Sequence, residues 1–195
     1  MARRGTVFRR DEQDHEKEPL FLPKSPWLHV TAASLSDTTN MGWSLTSSDS
    51  PRVVVRFLRG NKMRRVLSLF DEFAAGLQFP YYFGENWNAF DECITDLSWL
   101  PADVYILIIT NSEALLSEED EEQLIALTGI LQNVGEEWSR PVETSEWGSL
   151  PPVPFHIIFQ SSESDLGVVT SRLKSNWNTF PRDADRESPR AGDSD

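Results

Sequence analysis

Seven residues, VYILIIT at 104–110, restrict what this chain can become more than any other stretch. Alternate side chains of a strand point to opposite faces, and here neither face is polar. An apolar run of this length is therefore a strand covered on both sides, the signature of a position in the middle of a parallel sheet. The chain must supply other strands and crossover helices to do the covering, and the flanking sequence contains them.

The stretch RVVVRFLRG, 52–60, is β-branched and ends in Gly60-Asn61, which reads as a strand and a turn. From Arg64 the period changes: Val66, Leu67, Phe70, Phe73, Ala74 and Leu77 recur at three and four, predicting a helix that stops before Pro80. A second helix is predicted over 86–97, with Trp87, Phe90, Ile94 and Leu97 on one stripe. Ser117 with Asp120 resembles a capping box for a third helix. Its stripe is Leu124, Leu127, Leu131 and Val134, and it runs to about Trp138. A loop with Trp147 and the run Pro151, Pro152, Val153, Pro154 leads into FHIIFQ, 155–160, a third strand, and a final amphipathic helix is predicted over 165–177. Strand, two helices, strand, helix, strand describes a small α/β domain with a three-stranded parallel sheet and right-handed crossovers.

Length allows one core of this kind with flanking extensions, since the chain has 195 residues. Residues 1–25 are charged and lack apolar periodicity, so they read as a disordered lead. Trp27, Leu28, His29 and Val30 after Pro26 read as either a short strand or a docking segment, followed by a Ser/Thr/Asp-rich link through Asp49. The expected division is an extension over 1–50, largely disordered or loosely docked, a domain over 51–178, and a disordered tail over 179–195. The N-terminus has arginines with no apolar run behind them, and no stretch approaches the roughly 20 apolar residues of a membrane span. A cytoplasmic protein without membrane contact is the expectation. With one cysteine, Cys93, neither an intramolecular disulfide nor a cysteine metal site is possible.

The formal net charge of −13 argues against nucleic acid as a ligand, because phosphate binding rests on Lys and Arg. Acidity that merely keeps a protein soluble is the plainer reading of the total. Its distribution says more: residues 66–139 contain no Lys, Arg or His, while Asp and Glu recur throughout. A one-signed field speeds encounter with a basic partner.

Within that span, FPYYFGENWNAFDECITDLSW at 79–99 crowds Tyr81, Tyr82 and Phe83 against Gly84 and a series of acids. Burying an unpaired ionised group is costly, so a core segment would not carry them. On the predicted helix Asn88, Glu92, Thr95 and Asp96 fall opposite the apolar stripe, with Asp91 at its flank. Asp91 and Glu92 are adjacent, point about 100° apart, and so do not converge on one scissile bond. Cys93 has no basic neighbour to lower its pKa and reads as a small core hydrophobe. His15, His29 and His156 fall in no metal or triad spacing, and there is no Gly-rich phosphate loop, CxxC or HExxH. A non-enzymatic binding protein without metal or cofactor is the expectation.

The segment YYFGENWNAFDECITDL resembles the signature of the barstar family of ribonuclease inhibitors: an aromatic pair before a Gly-Glu-Asn loop, then a helix whose outer face carries an acid. The resemblance extends over about 52–160. It implies a protein that plugs the active site of a small basic ribonuclease, one loop aromatic stacking on the catalytic histidine and a helix carboxylate replacing the substrate phosphate. Carried over by motif, Tyr82 or Phe83 is the stacking ring, Gly84 lets the loop backbone approach, and Glu92 is the phosphate mimic. Tyr81, Glu85, Asn88, Asp91 and Asp96 complete the surface. The chain departs from the best-known member at three places: Asn88 stands for a carboxylate, Asp91 for a tryptophan, and Glu92 for the critical aspartate. The extra methylene moves the carboxylate by roughly one C–C bond, a misfit that costs about a few kcal/mol at a buried charge pair. The implied partner is a small basic extracellular-type ribonuclease or a related toxin, held 1:1 by a monomer in an immunity role. The alternative is an interaction module that kept the fold and recognises another basic protein, through the segment around 27–30.

Overall fold

The computed structural model describes residues 7–8, 18–46, 51–144 and 148–177. Among the described residues the strands are β1 (Val7–Phe8), β2 (Leu28–Thr31), β3 (Val53–Arg59), β4 (Val104–Thr110), β5 (Val142–Thr144), β6 (Gly148–Leu150) and β7 (Phe155–Gln160). The helices are α1 (Leu35–Thr46), α2 (Val66–Leu77), α3 (Trp87–Asp96), α4 (Glu121–Trp138) and α5 (Leu166–Trp177). β2, β7, β4 and β3 form a parallel sheet in that order, extended at the β2 edge by the two-residue β1, while β5 and β6 make a separate antiparallel hairpin.

The expectation for β4 holds: it lies between β7 and β3, and six of its seven residues are buried. Its two faces meet different layers. Tyr105, Leu107 and Ile109 join the larger core with Leu28, Val30, Phe155, Ile157 and Phe159, covered by α2, α3, α4 and α5. Val104, Ile106 and Ile108 join Ile158 on the other face, where Leu20 of a 3-10 turn (Glu18–Phe21) and Leu45 of α1 close over them. Burial of this kind stabilises by about 1.5–3 kcal/mol for each large side chain removed from water.

The sheet has four full strands, not the expected three. The added one is β2, paired with β7 from Leu28 opposite Ile157 to Thr31 opposite Gln160. Four residues after a proline, one of them a histidine, are too few for a periodicity to register. Leu28 to Val30 is thus strand rather than docking segment, and Trp27 before it is buried. The expected polar link after it contains the 12-residue α1. Ser34 Oγ accepts from the Asp37 N–H at 3.1 Å and donates to the Asp37 carboxylate at 2.8 Å, a helix start hidden in Ser/Thr-rich composition. Leu20, in the stretch expected to be a disordered lead, is buried.

Two helix details differ from expectation. Leu67, placed on the α2 stripe, is 63% exposed, and Leu69 takes the buried position with Phe70, Phe73 and Leu77. Ser117 does not cap α4: the helix starts at Glu121 with Asp120 at the N-cap. The chain before it is wound into turns that bury Leu115 and Leu116, with the Ser117 N–H donating to the Ala114 carbonyl at 3.2 Å. Trp147, His15 and the expected C-terminal tail lie outside the described residues. Among those described, no helix is long and apolar enough to cross a membrane.

Candidate partner-binding site

The α2–α3 connection is built from rings that divide between inside and outside. α2 ends at Gln78 in the left-handed conformation, φ 56°, and the Phe79 N–H donates back to the Ala74 carbonyl at 2.9 Å. A turn follows in which the Phe83 N–H donates to the Pro80 carbonyl at 2.9 Å. Both of its flanks point inward: Phe79 meets Phe83 at 5.1 Å between ring centroids, and Phe83 meets Phe70 at 5.8 Å, edge on. The turn's two central residues are left outside. Tyr81 is 101% exposed and Tyr82 66%, with their rings edge to face at 5.7 Å. Of the two rings that motif alone offered for stacking, Phe83 is committed to packing and Tyr82 is the one that is presented.

Gly84 and Glu85 bring the chain to α3. Glu85 has φ 46°, and a Cβ on Gly84 would stand 3.0 Å from the Asn86 Nδ2, which donates to the Gly84 carbonyl. Asn86 caps the helix, its Oδ1 accepting from the Ala89 N–H at 3.0 Å. The Trp87 indole N–H donates to Gln123 Oε1 at 2.9 Å and so fixes the first turn of α3 to α4. Phe90, Cys93 and Ile94 are buried, and Leu97 closes the helix with φ 41°. With that stripe inward, Asn88, Asp91, Glu92 and Asp96 are all exposed. The exposed Tyr81 and Tyr82, the exposed Gly84-Glu85 loop and the exposed polar residues of α3 thus follow one another along the chain.

Electrostatics sharpen the picture. The Asp91 carboxyl is raised above its ordinary value by burial and then by the charge of Glu137 on α4. Glu137 is a residue that sequence reasoning missed; the available signal was an exposed acid in the base-free run, but nothing in the spacing said that α4 lies beside α3. The Cys93 thiol is raised by burial, then by Glu92 and Asp96, which keeps it a thiol. The acids at 118–119 are not part of this field. Glu118 pairs with Arg64 at 2.8 Å and Arg65 at 2.7 Å, and Glu119 Oε1 accepts the first N–H of α2, from Val66, at 3.0 Å. Neither these ion pairs nor that of Arg59 with Glu72 involves a residue of α3. Among the described residues no group of three or more His, Cys, Asp or Glu is placed to hold a metal ion.

A strand, two helices, a strand, a helix and a strand around a parallel sheet, with an aromatic loop and an acidic helix face on its rim, define a small α/β module. The family model for barstar, the barnase inhibitor, matches residues 53–160, and the chain belongs to the barstar family. That family consists of inhibitors rather than enzymes. No curated protein matches the chain. The matched region contains β3, β4, β7 and the helices α2, α3 and α4; β2 and α1 precede it.

Proposed function

We propose that this protein is a stoichiometric inhibitor of a small basic ribonuclease or related toxin, acting as its immunity partner in the cytoplasm by occluding the active site 1:1. The observation that carries the reading is the pairing of the exposed Tyr81 and Tyr82 with an α3 face whose acids have no ion-pair partner among the described residues. An enzyme site that holds phosphate with Arg and His holds a placed carboxylate by the same charge-assisted hydrogen bonds. Glu92 is the carboxylate on that face flanked by Asn88 and Asp96, and Tyr82 is the ring available to stack. Tyr81, Phe83, Gly84, Glu85 and Asp91 shape the rest: Phe83 by bracing the turn from inside, Asp91 by continuing the negative field toward Glu137.

The test is titration of the protein into a basic microbial ribonuclease of the barnase type with residual RNA cleavage as readout, and Glu92→Ala in parallel. Stoichiometric inhibition by the wild type that weakens on substitution by about 2 kcal/mol or more, at least thirtyfold, supports the reading. Equal inhibition by both proteins would refute phosphate mimicry by Glu92. A second reading, a module that binds some other basic protein without inhibiting a nuclease, was attached to the segment 27–30. Trp27, Leu28, His29 and Val30 are buried, so that segment is not free to serve as its contact surface.

A further inference from the structure

The segment 18–46 lies outside the matched family region, yet it supplies the strand β2, and its Leu20 and helix α1 close the second face of the sheet. Its junction with the matched region contains two buried histidines that sequence spacing left unrelated. His29 on β2 and His156 on β7 stand with Nε2 of the first 3.0 Å from Nδ1 of the second. Their rings are tilted at 5.1 Å, and Trp27 lies tilted against His156 at 5.5 Å. His156 Nε2 lies 3.0 Å from the Leu22 carbonyl.

Donor counting fixes the protons. A carbonyl only accepts, so His156 carries its hydrogen on Nε2, and its Nδ1 is the acceptor for the His29 Nε2–H. Both nitrogens of His156 are thereby engaged with the segment 18–46, one with Leu22 and one with His29. A second proton on His156 would set two N–H groups against each other and break the bond that crosses from β2 to β7. We propose that this pair is a proton-operated latch: in acid, β2 and the turn of Leu22 that covers His156 release from β7 while the matched core stays folded.

The surroundings support the assignment. Both groups are held below the ordinary histidine value by burial, His29 to about 3, with the other ring as its second cause. On His156 the Leu22 and Pro26 carbonyls act the other way, and burial outweighs them. The covering turn carries Lys24, exposed at the surface, and α1 carries Asp37, engaged by Ser34. β7 contributes His156 and Gln160 on its own length, and Gln160 is occupied with Ala33, Ser161 and Asn111. A histidine that accepts a proton only in the released state multiplies the opening constant about tenfold for each pH unit below 6.5. Between pH 6.5 and 4.5 that is roughly a hundredfold for one histidine and more if both respond.

The experiment is hydrogen exchange of the full chain, resolved by segment and corrected for intrinsic rates, from pH 7 to pH 4.5. The expected result is that amides of Leu28–Thr31 lose protection by about a hundredfold or more while those of Val104–Thr110 keep theirs. Equal loss in both strands, or none in either, would overturn the latch. In the variant His29→Gln/His156→Gln the β2 opening should become independent of pH across that range, and a retained slope would overturn it as well. If that variant does not fold, the wild-type comparison of the two strands decides alone.

Discussion

Gly60 and Gly76 look alike in sequence, and the structure predicts opposite consequences for replacing them with alanine. Gly60 follows β3 and opens the 3-10 turn Gly60–Lys62. A Cβ there would stand 2.5 Å from the Thr110 carbonyl oxygen and 2.6 Å from that of Asn111. Both are backbone at the end of the central strand β4, so the turn itself must move. Overpacking of this kind costs about 1–3 kcal/mol, and rigid backbone puts Gly60→Ala at the upper end. Alanine restricts the unfolded chain and returns about 0.4–1 kcal/mol. The net is a loss of about 2–2.6 kcal/mol, a fall in Tm of roughly 4–10 °C for a chain of this size. At Gly76, inside α2, the added Cβ meets only Leu58, with Cδ2 at 2.5 Å and Cγ at 3.9 Å. A terminal methyl rotates away, and glycine to alanine in a helix interior gains about 1 kcal/mol. Gly76→Ala should stay within about 1 kcal/mol of wild type. Urea and thermal unfolding of both variants measure the difference. A Gly60→Ala protein as stable as wild type, or less damaged than Gly76→Ala, would refute the account of how β4 anchors the start of the α2 layer.

Other expectations follow from the site and its charges. Phe83→Ala should destabilise by about 2 kcal/mol, because a half-buried ring is lost from its contacts with Phe70 and Phe79, whereas Tyr82→Ala should stay within about 0.5 kcal/mol in unfolding and lose affinity for the partner. The Glu72 carboxyl is held below its ordinary value chiefly by its hydrogen bond from Arg59, so its contribution is present above pH 4.5 and is lost as pH falls through the lowered value. Glu72→Gln should flatten the urea midpoint in that acid range. Asp91 has the opposite sign: its raised value means the folded chain binds the extra proton, so its charge destabilises as pH rises past 3.8 and through the raised value. Asp91→Asn should therefore unfold at a higher urea concentration near neutral pH while binding a cationic partner less well.

Legibility in the sequence followed the length of the signal. β4 and β7 declared themselves because every residue is apolar or nearly so, and α3 because Trp87, Phe90, Ile94 and Leu97 repeat over three turns. β2 did not, since four residues cannot show a period, and what makes it a strand is the open edge of β7, which is visible only once the sheet exists. The same holds for α1: its start is a local Ser34–Asp37 bond, but its reason for being is the second face of Ile106, Ile108 and Ile158, residues 60 and more positions away. At the site, the motif named the segment without dividing it. Tyr81, Tyr82 and Phe83 are equivalent in sequence, and the turn closed by Pro80 and Phe83 is what sends two rings out and one in.

The distribution of charge follows from the same architecture. Lys and Arg are absent from 66–139, so every basic partner for an acid in that span must come from elsewhere in the chain, and the bases that come are those at the end of β3 and the start of α2. Arg59 reaches Glu72, and Arg64 and Arg65 reach Glu118, all around one end of α2. α3 joins α2 through the loop of Tyr81 and Tyr82, and packs against α4, whose nearby charge, Glu137, is of the same sign. Pairing among the described residues thus stabilises acids of α2 and of the turn before α4 and leaves those of α3 in a negative field that a cationic partner would relieve. Self-repulsion of this kind weakens the free protein, and a basic partner that relieves it binds faster for the same reason.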